Sequence, residues 1–159
     1  SGGSLSQPFY DRFVIKEHLQ FYSAEELAEL AGSNADKIGV DVSPEQMIQI
    51  ARRSKGTPRI LNARLQWYRN YTSFYEDKDY TIDDIYNSQG IDENGFDSND
   101  NSYLEVLKKN RGNPLGIKSI SSMTGIAMET IENNIEPYMV RMGYVVRTPK
   151  GRVVGGGCP

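Results

Sequence analysis

The sequence is poor in the residues that do chemistry unaided. It has one histidine, His18, and one cysteine, Cys158, in 159 residues. A histidine-rich metal site is therefore excluded, and a histidine-based catalytic triad has little to stand on. The single cysteine excludes an internal disulfide framework. No GxxxxGK[ST] loop is present to cradle phosphates, and no strand ends in acids that would hold a magnesium ion. No apolar run approaches the roughly 20 residues needed to span a membrane. No charged-then-apolar leader suggests secretion, so the expected setting is intracellular and no membrane partner is expected.

What is present is unevenly distributed. The net charge is −3. Leu104 to Val154 nevertheless carries eight basic residues against four acidic ones, and the remainder carries 10 against 17. Opposite signs on two halves suggest two domains with different partners, and the basic half suits a polyanion.

The acidic half reads as helices with clear starts. Ser23 followed by Glu25 and Glu26 is a capping hydroxyl with acids at the positive dipole end, and Gly39 closes that helix. Ser43-Pro44 opens a second, with proline at the first helical position, running to about Ser54. Pro58 opens a third through about Phe74, and Thr81 caps a fourth over Ile82 to Asn87. Before them, Gln7 to Phe13 reads as the end of a helix and Val14 to Phe21 as a strand. Four short helices in about 70 residues make a small bundle. The polar stretch Asp92 to Asp100 reads as a linker.

The basic half reads as a winged helix. Tyr103 to Lys109 and Gly116 to Met123 are helices. Ile131, Ile135, Tyr138, Met139 and Met142 then recur at three- and four-residue steps on one helical face. Pro137 inside that stretch predicts a kink or a break near Glu136. Tyr144-Val145-Val146 and Val153-Val154 read as two short strands about a Thr148-Pro149-Lys150-Gly151 turn. The tip carries Arg147, Lys150 and Arg152 and no acid, which suits phosphates or a minor groove. Three such cations predict a log–log salt slope of roughly −3 on duplex DNA. Ser1-Gly2-Gly3-Ser4 and Gly155 to Pro159 read as flexible ends, with Cys158 as an exposed thiol.

Two arginines in the acidic half stand out. Arg12 lies between Asp11 and Phe13, and Arg59 follows Gly56-Thr57-Pro58 at a helix start. Each is either a solvated charge or a phosphate clamp, since a guanidinium beside a helix N-terminus favours an anion.

Several pieces, taken together in order and spacing, resemble the C-terminal part of the RuvB family of Holliday-junction branch-migration motors. They are Asp11-Arg12-Phe13, Phe21-Tyr22, Ala51 to Ile60, Ile91 to Asp97, Glu136-Pro137-Tyr138 and Arg147 to Arg152. The resemblance implies a mainly α chain: residues 1–22 as linker and end of an AAA+ core, 23–91 as the helical AAA+ lid, 92–154 as a winged helix with a β-hairpin wing, and 155–159 as a tail. It implies that Arg12 is an arginine finger acting in trans, that Tyr22 lines an adenine pocket, and that Arg59 is a second sensor arginine. Arg147, Lys150 and Arg152 would meet DNA. It further implies a cytoplasmic homo-hexameric helicase of recombination and repair, using ATP with magnesium, acting on duplex or four-way-junction DNA with a RuvA-like partner. This chain, lacking the ATPase core, would not hydrolyse ATP alone.

The chain departs from the family pattern in places. Tyr10 stands where the family has arginine, and Val14 where it has glycine. Gln66, Trp67, Tyr68 and Asn70 replace several arginines of the third helix. A non-enzymatic winged-helix adaptor binding DNA or protein is the alternative these departures support.

Overall fold

The computed structural model describes residues 7–17, 19–75, 79–110 and 112–159. The Ser1–Ser4 linker, His18 and Arg111 lie outside them. Helix α1 (Gln7–Tyr10) is a single turn. Four lid helices follow: α2 (Ala24–Ile38), α3 (Pro44–Arg52), α4 (Pro58–Phe74) and α5 (Ile82–Asn87). The second unit has α6 (Ser98–Lys109), α7 (Ile117–Thr124), α8 (Met128–Thr130), a π-helical turn Ile131–Ile135, α9 (Glu136–Arg141), and the hairpin β1 (Val145–Thr148) and β2 (Gly151–Val154). No described helix is long and apolar enough to cross a membrane.

Local chemistry sets the helix starts. The Ser23 hydroxyl accepts from Glu26 N at 3.1 Å, and the Glu26 carboxylate accepts from Ser23 N at 2.8 Å. Reciprocal pairs of this kind satisfy backbone donors that a helix start leaves unpaired. Ser43 with Gln46, Thr81 with Asp84 and Asp97 with Asp100 repeat the device. Gly39, in the left-handed region at φ 67°, ends α2.

Each unit has its own core. In the lid, Leu27, Ala31, Ile50, Leu61, Leu65, Ile85 and Tyr86 are fully or almost fully buried. Each large apolar side chain so buried contributes roughly 1.5–3 kcal/mol. In the winged helix, Phe96, Tyr103, Leu107, Ile120, Ile131 and Met139 form a second cluster.

The recognition stretch breaks where the proline demands it. Pro137 has no N–H, and its ring would clash with the carbonyl four residues back. The helix answers with a π turn: Glu136 N donates to Ile131 O, five residues earlier, and α9 restarts at Glu136. The hairpin pairs Val145 with Val154 and Arg147 with Arg152. Leu115 adds a bridge to Arg152, with N···O distances of 2.8 and 2.9 Å. That close approach requires Gly151, at φ 140°, because a Cβ there would stand 2.4 Å from Leu115 O.

Four expectations are corrected. Val14 to Phe21 is not a strand in its described residues: Val14 is 98% exposed and Leu19 90%. β-branched residues raise strand propensity, but a strand also needs a partner edge. Asp92 to Asp100 is not a loose linker. Asp92 accepts from Asn94 N and Phe96 N at 2.9 Å, and Phe96 and Asp100 are buried. Helix α6 accordingly begins at Ser98, capped by Asp97, rather than at Tyr103. Residues 155–159 fold back instead of trailing: Gly155 N donates to Tyr144 O at 2.7 Å, and Lys108 Nζ to Pro159 O at 2.7 Å. Cys158 is thereby half-buried against the winged-helix core.

Candidate nucleotide and nucleic-acid sites

The lid presents a cavity of about 530 Å³ walled by Leu19 to Tyr22, Glu26, and the Gly56-Thr57-Pro58 turn. Tyr22 is held there by a backbone bond, its N donating to Gly56 O at 2.9 Å. Gly56 must be glycine: its φ is 64°, and a Cβ would meet Phe21 Cβ at 2.7 Å. Helix α4 starts at this cavity. The Thr57 side chain does not cap it, its hydroxyl donating instead to Lys55 O. Backbone donors at the start of a 17-residue helix are therefore available to an anion. Arg59 is exposed in the first turn of α4, directly after Pro58. Tyr22, 46% exposed, lines the cavity; Arg59 follows the lining residue Pro58 but is not itself among the lining residues. Arg12 is not among the residues lining that cavity; it is exposed in the turn after α1. An aromatic side chain, an apolar wall and a free helix start are the components of a nucleotide pocket. Among the described residues, no cluster of three or more His, Cys, Asp or Glu side chains could hold a metal ion.

The wing is built around a carboxylate that the residue pattern did not single out. Glu136 is 0% exposed. Its Oε1 accepts from Tyr103 Oη at 3.0 Å and Arg152 Nε at 2.7 Å, and its Oε2 from Arg147 Nε at 2.8 Å. Burial alone would push the Glu136 carboxyl up, but donors from Arg152, Arg147 and Tyr103 outweigh it and hold it below its usual value. Burial pushes the Tyr103 phenol up, with the Glu136 charge adding to the effect. Two of the three wing cations are therefore paired, while Lys150 is exposed at the tip. The signal was present: an acid next to the buried Ile135 and Met139, ahead of two arginines on adjoining strands.

Sequence reasoning also missed the junction between the units. The Lys55 ammonium pairs with Asp100, the two side chains being 11% and 2% exposed. Lys55 adopts φ 49°, unusual for a residue with a Cβ. Burial raises the Asp100 carboxyl while the Lys55 charge pulls it back, and the net is upward. Phe21 stacks edge-on to Tyr138 at 5.9 Å, so the cavity wall also touches the winged helix.

Comparison with known proteins agrees with this geometry. A family model described as the RuvB AAA lid domain matches residues 22–97, and one described as the RuvB C-terminal winged helix domain matches residues 93–156. The chain is similar to the solved Thermotoga maritima RuvB Holliday junction branch migration motor, at 30% identity and TM-score 0.84. A point mutant of that protein gives 30% identity and TM-score 0.85. Both alignments cover 98% of this chain and 53% of the other, so the chain spans about half the length of the structures it matches.

Proposed function

The chain belongs to the RuvB family through its lid and winged-helix domains, and from that premise we propose that it forms the C-terminal portion of an ATP-driven DNA branch-migration helicase. In this reading residues 23–91 are the lid, 92–154 the DNA-binding unit, and residues up to 22 the end of an AAA+ core. The chain binds four-way-junction or duplex DNA through its wing and does not hydrolyse ATP by itself. The intact motor is a cytoplasmic homo-hexamer working with a RuvA-like junction-binding protein in recombination and repair.

The single observation that carries the reading is the pairing of the Tyr22–Thr57–Pro58 cavity at a free helix start with a cationic wing in the adjoining unit. The residues fit a nucleotide: Tyr22 would face the base, and the α4 N-terminus with Arg59 would face the phosphates. Arg12 would reach a neighbouring subunit's nucleotide, where a guanidinium stabilises developing charge. Bound ATP with magnesium would supply the driving free energy of the cycle.

The test is fluorescence anisotropy of the chain with a labelled four-way junction. Changing Arg147, Lys150 and Arg152 together to Glu is expected to abolish binding. Unchanged affinity in a folded triple variant would refute the wing as the DNA surface.

The second reading is a non-enzymatic winged-helix adaptor. It is favoured by the pairing of two wing arginines with the buried Glu136, which lowers the free charge of the wing. Loss of junction binding with retained protein binding would support it.

A further inference from the structure

Helix α4 has two apolar faces. Leu61, Leu65 and Tyr68 turn into the lid core, while Trp67, Tyr71 and Phe74 recur at three- and four-residue steps on a second face. With Asn70, Tyr75 and Ser88 they wall a cavity of about 430 Å³. Ligand pockets run to roughly 300–1,000 Å³. Phe74 is 78% exposed. Two helices end here: Tyr75 closes α4 and Ser88 closes α5, and neither last turn holds a basic residue. Helix C-termini carry negative partial charge and favour a cation. Among the described residues no cation lines the cavity. Arg69 lines a different groove with Gly39 and Tyr68, and Arg64 stands over the Tyr86 ring. Two exposed acids adjoin the walls. Asp79 precedes Tyr80, whose ring packs on Tyr71, and Asp84 lies one turn before Ser88. Two hydrogen-bond acceptors remain at the wall. Ser88 Oγ has given its hydrogen to Ile85 O at 2.6 Å, which also accepts from Trp67 Nε1 at 3.1 Å, so the Ser88 oxygen keeps its lone pairs. Asn70 Oδ1 accepts from Gln66 Nε2 at 3.1 Å and has a second lone pair.

We propose that this cavity docks an arginine-bearing segment of a partner protein. Aromatic walls alone would also suit an apolar side chain or a nucleobase; the electrostatics select among them. A phosphate-bearing strand would meet two negative helix ends and two aspartates, with no lining cation to hold it. A guanidinium is planar, stacks on ring faces and carries only donors. It therefore matches the rings, the acceptors and the negative helix ends at once. A lysine ammonium is compact and strongly hydrated, and gains less from the rings. Trp67 and Asn70 are among the residues that depart from the family pattern of arginines in this helix; cations at those positions would repel such a ligand. The cavity shares no lining residue with the one at Tyr22. The assignment therefore stands apart from the nucleotide and DNA readings.

Trp67 is the one tryptophan of the chain, so its fluorescence reports on this cavity. The experiment titrates the 159-residue chain at low salt with a short peptide alternating glycine and arginine. A saturable Trp67 response is expected. Citrulline in place of arginine keeps the shape without the charge and should weaken binding about tenfold; glutamate in its place should abolish binding. Phe74→Ala removes one exposed ring and should weaken binding about fivefold while leaving the melting temperature unchanged. Asn70→Lys, at an exposed position, should abolish binding by repulsion and gives the decision if Phe74→Ala does not fold. A folded wild type without a saturable response overturns the assignment. So does equal affinity for the citrulline peptide, or wild-type affinity in either folded variant. Tighter binding of a peptide carrying trimethyllysine would replace the guanidinium by a quaternary ammonium. Self-association of the free chain that shifts Trp67 emission to the blue would make the face a contact between copies, and would overturn the assignment as well.

Discussion

Glu136 and two glycines show how single residues fix this molecule. Truncating Glu136 leaves two guanidiniums facing each other beside a buried phenol. Breaking a buried pair by removing one partner typically costs 3–5 kcal/mol; with Arg147 half-exposed, about 3 kcal/mol is expected for Glu136→Ala, read by urea unfolding. The pH dependence has a definite sign. Because the folded-state value of Glu136 lies below its ordinary one, its contribution is present above the ordinary glutamate range. That contribution is lost as pH falls through the depressed value. Asp100 works the other way, its raised value making the folded state the tighter proton binder. Removing Glu136 should therefore flatten the acid limb of the stability curve, whereas Asp100→Asn should not. The glycines differ by what surrounds them. Gly95 sits at φ 79°, where a Cβ would stand 2.5 Å from Arg53 O. Gly95→Ala should cost about 2–3 kcal/mol. Gly90, at φ 68° with open space around it, should cost only about 1 kcal/mol on the same change.

Among the elements, those defined by local chemistry were the ones legible in the sequence. Ser23, Ser43 and Thr81 announced their helices because the capping hydroxyl and its partner lie three residues apart. Pro137 announced a break because its missing N–H acts on the same helix. The elements misread depend on distant partners. Val14 to Phe21 has strand composition, but nothing in that stretch reports that no edge pairs with its described residues. Asp92 to Asp100 is a mixed case: its Asp92 turn and Asp97 cap are local signals that its linker composition masked, and Arg53 and Lys55 pack on it from the other unit. Glu136 resembled a family motif residue, but its role rests on Arg147 and Arg152, which only the hairpin register brings together. The junction built on Lys55 and Asp100 makes its own prediction. Lys55→Met should cost about 3 kcal/mol by leaving the Asp100 carboxylate buried and unpaired. Adding Asp100→Leu should recover much of that, and a double-mutant cycle by urea unfolding gives the coupling.

At the scale of the whole molecule, the lid and the winged helix meet along a seam that holds a buried ion pair and a ring contact beside a cavity of about 340 Å³. It comprises Gly95 against the Arg53 backbone, Lys55 with Asp100, and Phe21 against Tyr138. The two units should therefore unfold together, and one calorimetric transition is expected for the wild type. Lys55→Met is expected to split it into two. The same seam joins the cavity wall at Phe21 and Tyr22 to the helix that supports the wing. The family resemblance was legible because its motifs cluster at these seams and turns, where backbone conformation restricts the residue. The pairing of Arg147 and Arg152 with Glu136 was not, because it follows from burial and hairpin register. The central claim is that the wing is the surface that meets DNA. Its most direct test is amide chemical-shift mapping of the chain with a four-way junction. Perturbations centred on Val145–Val154 are the expected result. Perturbations centred on the lid helices, with the wing silent, would contradict it.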